Sequence, residues 1–302
     1  MSADFADMFE QAGCTGQLCV QSLDGEQEAA VEADRSVVAA SVFKVSVALA
    51  AETQFAQGRL DPRERLTLSA ANRTPGPIGF PLFDDDVEVS LRDLVVAMLT
   101  ISDNTATDAL LGRVGIDAVN AGSARLGLAD SVITADLATI VNSIGHDAGF
   151  KDWDALWEWA AQPHSPGDEA RLTRRMAAAS ALIPLRTTRT TPRDMATLLR
   201  LIWSDQAGPP QACERVRQLM HRQLTRHRLA PAFPPPARVA AKSGSLIGVV
   251  RNEVGVIEYP DGRSYAAAVF TQAHQPWRND AAINAVIGTA AAGAVRMLLR
   301  PR

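Results

Sequence analysis

The stretch ARVAAKSGSLIGVVRNEVGVIEYPDGRSYAAAVFT, residues 237–271, decides the architecture. It is rich in Val, Ile and Ala and divides into three β-prone segments, 237–243, 249–258 and 264–271. Pro260-Asp261-Gly262 between the last two is a tight-turn signal. One closing helix is expected over 278–299. At the other end, QLCVQSL (17–23) alternates loosely and runs into Asp24-Gly25, a hairpin signal, with a second short strand expected over 27–32. Between these ends the apolar period is helical. The order strands, many helices, strands, helix predicts an α/β (α+β) fold. An antiparallel sheet with flanking helices is built from both chain ends and carries an inserted all-helical domain. The expected division is 1–36 with 212–302 for the sheet domain and 37–211 for the helical one.

Within the helical part, VFKVSVALAAETQFAQ (42–57) is apolar almost all round and stops at Gly58, the pattern of a buried helix with a glycine end. Residues 71–88 carry Pro75, Gly76, Pro77, Gly79, Pro81 and Asp84-Asp85-Asp86, and read as a loop with a solvated turn. Helices are expected over 90–100, 104–113, 117–126, 151–161, 168–182 and 193–203. Thr191-Pro192 starts the last of these, with Pro in the first turn.

Composition excludes several functional classes. The chain has 302 residues, 47% of them hydrophobic, enough for one composite domain or two modest ones. Charged residues make up 21% and the net charge is −4, which gives no bulk signal for nucleic acid. Cys14, Cys19 and Cys213 are an odd set without a CxxC pair. They read as reduced, buried thiols, with a Cys14–Cys19 bridge as the alternative. The acidic N-terminus lacks a long apolar run, so neither a signal peptide nor a membrane anchor is expected. As written the chain reads as cytoplasmic, or as secreted if an export signal has been trimmed from it. The five histidines show no metal-ligand spacing, so no metal or cofactor is expected. The basic run at 215–228 (Arg215, Arg217, Arg222, Arg226, Arg228) reads as a solvated helix face, with attraction of an anion as the alternative. Trp153, Trp157 and Trp159 read as core packing of their helix, with a cap over a functional site as the alternative.

Three short motifs remain. Ser41-Val42-Phe43-Lys44 is an S-x-x-K at the start of the buried helix, and positions i and i+3 share a helix face. Ser41 and Lys44 are therefore expected to touch. A buried lysine loses part of its preference for charge, so a neutral amine can take the serine proton. The helix N-terminus directs positive partial charge at a developing anion. Ser102-Asp103-Asn104 falls in a turn between two helices, and Lys242-Ser243-Gly244 lies on a strand. Each motif alone recurs by chance; all three in this order and context are specific.

This set resembles the penicillin-recognising serine enzymes, in particular class A β-lactamases. The resemblance covers nearly the whole chain, including the hairpin at 17–32, the Pro-rich turn before Ser102 and the Thr-Thr-Pro at 190–192. It implies that Ser41 is the acylated nucleophile and Lys44 its proton partner. Ser102 would relay a proton to the leaving nitrogen, and Asn104 would hold Lys44 and the substrate amide. Lys242 and Ser243, with Gly244 and Ser245 following on the strand, would bind the substrate and its carboxylate. The backbone N–H groups of Ser41 and Ser245 would form the oxyanion hole. Arg251, nine residues after Lys242, matches the family's carboxylate-binding arginine or is an ordinary strand-end arginine. One departure stands out. The family's deacylating glutamate lies in E-x-x-L-N, and no such text occurs here. The nearest is Glu169-Ala170-Arg171-Leu172-Thr173, where Glu169 is either the base or a first-turn helix acid. The 90 residues from Ser102 to Pro192 exceed the family's spacing, and the extra chain falls where that loop forms.

The function expected is hydrolysis of β-lactams through an acyl-enzyme, with slow deacylation. An esterase or peptidase on the same scaffold and a non-catalytic penicillin-binding protein are the alternatives. The partner is a small molecule, a β-lactam or an ester with a carboxylate; no nucleic acid or membrane is expected, and the oligomeric state is open.

Overall fold

The computed structural model describes residues 2–24 and 27–299, so Gly25 of the expected hairpin turn lies outside the described residues. Five antiparallel strands form the main sheet in the order β2-β1-β9-β8-β7. They are β1 (Cys14–Ser22), β2 (Glu28–Val31), β7 (Arg238–Leu246), β8 (Val250–Glu258) and β9 (Ser264–Ala273). β1 and β9, from opposite ends of the chain, pair from Cys14↔Ala273 to Ser22↔Tyr265. The sheet is therefore closed by both chain ends, as expected. Smaller pairs join β3 (Val37–Val38) to β6 (Arg189–Thr190) and β4 (Arg65–Leu68) to β5 (Val87–Ser90). The second pair clips the far end of the stretch read as loop to the chain before it.

Both faces of the sheet are covered, so β8 is buried along nearly its whole length. Alternate residues of a strand enter different cores, as the two-residue period requires. Leu18, Val20, Val239 and Ala241 pack on one side with α11 (Asp280–Leu298) and with Phe5 and Phe9 of α1 (Ser2–Gln11). Cys19, Ala240, Val254 and Ala268 pack on the other. Cys14 and Cys19 thus sit on opposite faces, both free and buried, which rules out a bridge between them. The helix α1 was not expected from its acidic sequence; Phe5 and Phe9, one turn apart, give it the apolar face that docks it. α11 is 19 residues long and apolar enough by composition to cross a bilayer, but its inner face is packed on β1, β2 and β9.

On the opposite side, α2 (Lys44–Ala56) is enclosed by α3 (Leu91–Thr100), α4 (Asn104–Val114), α5 (Ile116–Arg125) and α10 (Pro210–Met220). α9 (Pro192–Trp203) lies between this group and the sheet, against β1 and β9. The apolar sequence of α2 is accounted for by neighbours all round it. The boundary expected at 211/212 falls inside α10, whose Cys213, Val216 and Leu219 share one core with α2 and α9.

The extra chain after Ser102 supplies α6 (Leu137–Ala148), α7 (Trp153–Ala160) and α8 (Pro166–Ala177). α6 was not anticipated. Its first turn is held by two carboxylates: Asp136 accepts from Thr139 N, and Asp108 accepts from Leu137 N and Ala138 N. α8 ends short of the expected 182 because the chain turns at Ala178 and re-forms as a 3-10 turn over Ser180–Leu182. Of the three tryptophans, Trp153 joins the small core of these helices, while Trp157 stacks on it and stays 65% exposed. The reading of all three as core is corrected in that respect. This core (Ile140, Ile144, Leu156, Met176) also takes in Leu246 and Ile247, where β7 turns into β8.

α6 and α7 meet at Gly145, where an added Cβ would fall inside van der Waals contact of the Asp152 carbonyl. Gly145→Ala should destabilise the protein by about 1–3 kcal/mol, the range for overpacking a filled site. Urea denaturation checks this, with Gly112→Ala, which meets no neighbour, as the control.

Candidate active site

The chain leading to Ser41 is held by hydrogen bonds from two sides. Ala39 N donates to Thr188 O at 3.1 Å, and Asn252 Nδ2 of β8 donates to Val38 O at 2.9 Å and Ala39 O at 3.2 Å. Ala40 then takes a left-handed φ of +45°, a conformation that non-glycine residues hold only where their surroundings fix it. Ser41 lies in a 3-10 turn, Ala40–Phe43, that runs directly into α2 at Lys44. In a 3-10 turn residues i and i+3 eclipse, which sets Ser41 and Lys44 on one side. β7 presses against this turn. A Cβ on Gly244 would lie 3.1 Å from Ser41 N and 3.2 Å from Ala39 O, tight enough that a larger residue would push the strand and the turn apart by a few tenths of an ångström.

Lys44 is fully buried. Its Nζ donates to Ser102 O at 2.7 Å and Asn104 Oδ1 at 2.9 Å, with longer contacts to Ser102 Oγ (3.3 Å) and Asp103 O (3.4 Å). Ser102, between α3 and α4, has a left-handed φ of +64°, which turns both its carbonyl and its hydroxyl toward the amine. The next two residues fix the turn. Asp103 caps α4 through Ala106 N at 2.8 Å and accepts from Phe80 N at 2.6 Å. Asn104 Nδ2 donates to Pro75 O at 2.8 Å, which leaves its Oδ1 to face Lys44. The Pro-rich loop is thus the brace that orients Asn104. Burial pushes the Lys44 amine down from 10.5 to about 7, against the opposing pull of Asp103 and Asp108.

Lys242 enters from the other side, also fully buried. Its Nζ donates to Ser102 Oγ at 2.9 Å and Ser243 O at 2.8 Å. Burial, and next the charge of Lys44, hold it well below the ordinary lysine value. The chain has only three lysines, Lys44, Lys151 and Lys242, among thirty basic side chains. Two of the three flank Ser102, the places where an amine able to shed its proton differs in kind from a guanidinium.

β7 is one of the two edge strands of the sheet. The Ser243 amide points off that edge and donates to Gln223 Oε1. By the two-residue period, the amide of exposed Ser245 points the same way, next to the turn that carries Ser41. Two guanidiniums back this strand. Arg251, paired with Ser245 in register, is buried and donates to Gly248 O at 3.0 Å and to Asp280. Arg228 is 4% exposed; it donates to Gly244 O (2.8 Å), Asn252 O (2.6 Å), Ser245 Oγ (2.7 Å) and Asn284 Oδ1 (2.9 Å). This corrects the reading of 215–228 as one solvated helix face. The helix ends at Met220, and Arg228 lies beyond it inside the protein.

The structure brings Lys44, Asn104 and Lys242 together around Ser102 and sets Gly244 of β7, with Ser243 and Ser245 beside it on the strand, against the Ser41 turn; the Arg251 guanidinium is turned to Gly248 and Asp280. The structure does not bring Glu169 to them. Glu169 is exposed in the first turn of α8, which packs on α6, and its backbone carbonyl accepts from Thr173 Oγ1 in ordinary helix fashion. The neighbouring acids Asp154 and Glu158 are exposed on α7, and Asp168 pairs with Arg171. Sequence reading missed Gln223, Arg228, Asn252 and Glu253. None belongs to a short motif; each acts on β7 or on the Ser41 turn from a distant element.

Comparison with known proteins bears on the family and the fold. The β-lactamase regulatory protein BlaB of Streptomyces cacaoi is 27% identical over 286 residues, covering 90% of this chain and 89% of that one. A β-lactamase structure from Sphaerobacter thermophilus matches 100% of this chain and 98% of its own with a TM-score of 0.75 at 25% identity. The L158E mutant of PBP-A, solved as an acyl-enzyme complex with penicillin G, shares the fold with a TM-score of 0.76 at 22% identity, over 99% of this chain and 96% of that one. The model of the β-lactamase enzyme family matches residues 1–298, and the chain belongs to that family.

Proposed function

We propose that this protein is a serine hydrolase that takes β-lactams onto Ser41 as an acyl-enzyme and releases them slowly. The observation that carries the reading is the Ser102 hydroxyl, held between the amines of Lys44 (3.3 Å) and Lys242 (2.9 Å). That hydroxyl can return a proton to a leaving nitrogen and be resupplied by an amine. On this reading neutral Lys44 takes the Ser41 proton as Oγ attacks the lactam carbonyl. The Ser41 and Ser245 amides receive the oxyanion. Ser102 then protonates the nitrogen as the C–N bond breaks, and Lys242 and Arg251 receive the substrate carboxylate. Hydrolysis of the acyl-serine needs a water held by a base within hydrogen-bond reach. Glu169 stands apart on α8, which supports a slow second step. A long-lived acyl-enzyme also suits a ligand sensor, a reading favoured by the regulatory role named for the S. cacaoi relative.

Ser41→Ala should abolish covalent labelling by a fluorescent penicillin and leave the thermal midpoint nearly unchanged. Labelling that persists on another residue would overturn the assignment. With a chromogenic cephalosporin, the wild type should give a burst of about one equivalent and then a slow phase. Glu169→Gln should leave both phases as they are; rapid turnover without a burst would refute slow deacylation.

Lys44 must be neutral to accept a proton, so the acylation rate should rise as pH passes through about 7 and level off above it. Stopped-flow acylation from pH 5 to 9 reads this step, and Lys44→Arg should acylate at least a hundred-fold more slowly because guanidinium keeps its proton, about the smallest factor expected for a lost general base.

Removing Lys242 or Arg251 should cost anionic β-lactams about 1.5–3 kcal/mol in kcat/KM, the range for hydrogen bonds to charged groups. Neutral esters should lose less. Equal losses on both would mean that neither residue reads the carboxylate.

A further inference from the structure

An oxyanion donor must be aimed, and the Ser41 turn has no side chain of its own to aim it: Ala39, which precedes the turn, makes no side-chain cap. Ala39 is right-handed, with φ −65° and ψ −35°, and Ala40 follows with φ +45°. A right-handed residue followed by a left-handed one swings successive backbone amides toward one side, where an anion can sit. The left-handed region crowds the Cβ of an alanine, so the turn holds only where something outside imposes it.

Asn252 of β8 is placed to impose it. The side chain is buried, at 1% exposure, and its carboxamide is fully committed. Nδ2 donates to Val38 O at 2.9 Å and to Ala39 O at 3.2 Å, and Oδ1 accepts from Thr271 N of β9 at 3.3 Å. Two consecutive carbonyls reach one nitrogen only where the chain leaves the extended form, so this contact fixes the point at which β3 gives way to the Ser41 turn. The sheet register brings the carboxamide there. Asn252 pairs with Gly244, the residue whose missing Cβ lets β7 approach Ser41 N. Arg228 ties the same pair together through Gly244 O at 2.8 Å and Asn252 O at 2.6 Å.

We propose that Asn252 is a positioning residue for the oxyanion: its carboxamide holds the Val38 and Ala39 carbonyls, keeps Ala40 left-handed and so points the Ser41 amide at the oxygen on which charge develops. This rests on the assignment of Ser41 as the nucleophile. Buried beneath the turn, Asn252 acts through the backbone and not on the substrate.

Asn252→Leu keeps the volume and removes the donors. A fluorophosphonate reads the consequence without a β-lactam. Ser41 Oγ bonds to phosphorus, fluoride leaves, the serine proton passes to Lys44, and the phosphoryl oxygen takes the oxyanion's place. In the wild type the phosphorus NMR signal of this adduct should move when urea unfolds the protein and the amide hydrogen bonds are lost. In Asn252→Leu the folded adduct should already lie close to the unfolded position. Phosphonylation and acylation by penicillin should both slow by about a hundred-fold, the cost of misplacing a reacting group by about an ångström. The penicillin concentration that gives half the maximal acylation rate should stay nearly the same. Asn252→Ser, whose hydroxyl is too short to span both carbonyls, carries the test if the leucine variant does not fold. Val256→Ala, a packing loss on the same face of β8, should lower the thermal midpoint and leave the phosphorus signal in place. A folded Asn252 variant whose phosphorus signal matches the wild type overturns the proposal, whatever its rate. A wild type that is phosphonylated at Ser41 but not acylated by penicillin would refute the β-lactam reading and leave this measurement standing; one labelled by neither would refute both.

Discussion

Two buried amines share one hydroxyl, and much of the structure exists to make that tolerable. Lys44 and Lys242 are each removed from water and both reach Ser102. Charged together in an apolar interior they would repel, and each alone would carry a large desolvation cost. The protein meets this with ordered acceptors around Lys44, namely the Ser102 carbonyl and the Asn104 amide, and with acids set further back. Burial outweighs those acids at Lys44, which moves to about 7 and can act as a base near neutral pH.

The fold serves this arrangement by joining pieces distant in sequence. Ser41 and Lys44 come from the head of α2, Ser102 from the turn before α4, Lys242 from the edge strand β7. Their separations are fixed by three backbone braces: Asn252 on the carbonyls before Ser41, Pro75 on the Asn104 amide, and Gly244 against the Ser41 amide. The positive φ values of Ala40 and Ser102 lie at the two points where the chain must turn a reactive side chain inward. Strain of that kind persists only when the surroundings over-determine it, and here both residues are hemmed by strands or helix caps.

What the sequence made legible follows from this division. The β segments at both ends, the buried α2 and the three motifs could be read because each is local: a period, a turn signal, or a reactive pair at helix spacing. The supports could not. Arg228 reads as one member of a basic run until its guanidinium is seen holding Gly244, Ser245 and Asn252. Gln223 and Glu253 carry no motif, and they matter only because β8 and the segment after α10 meet behind β7. Helix α6 escaped notice because its start depends on Asp108, a residue of another helix, as much as on its own cap Asp136. Glu169 matched a familiar spelling, yet Ser165 and Pro166 start a helix there and leave its side chain in solvent.

The loop that leads into α9 is the one that carries the deacylating glutamate in the class A pattern this chain resembles. In this chain it descends from α8 through the 3-10 turns Ser180–Leu182 and Pro184–Arg186. It is pinned at one end by Asp147, which accepts from Ser180 N and Oγ at 2.6 Å. Its inward side chain is Leu182, packed with Val38, Val249 and Val250 and bordered by Ala40, the residue before Ser41. An apolar side chain in that place supplies neither an acceptor for a water nor a charge to activate one. The same cluster includes Leu246 and Ile247, which also belong to the core of α6, α7 and α8. The added helices are therefore coupled by packing to the strand that would hold the substrate. On the proposed reading, the chain has kept the groups that form an acyl-serine and has used its extra length to wall the site with apolar contacts.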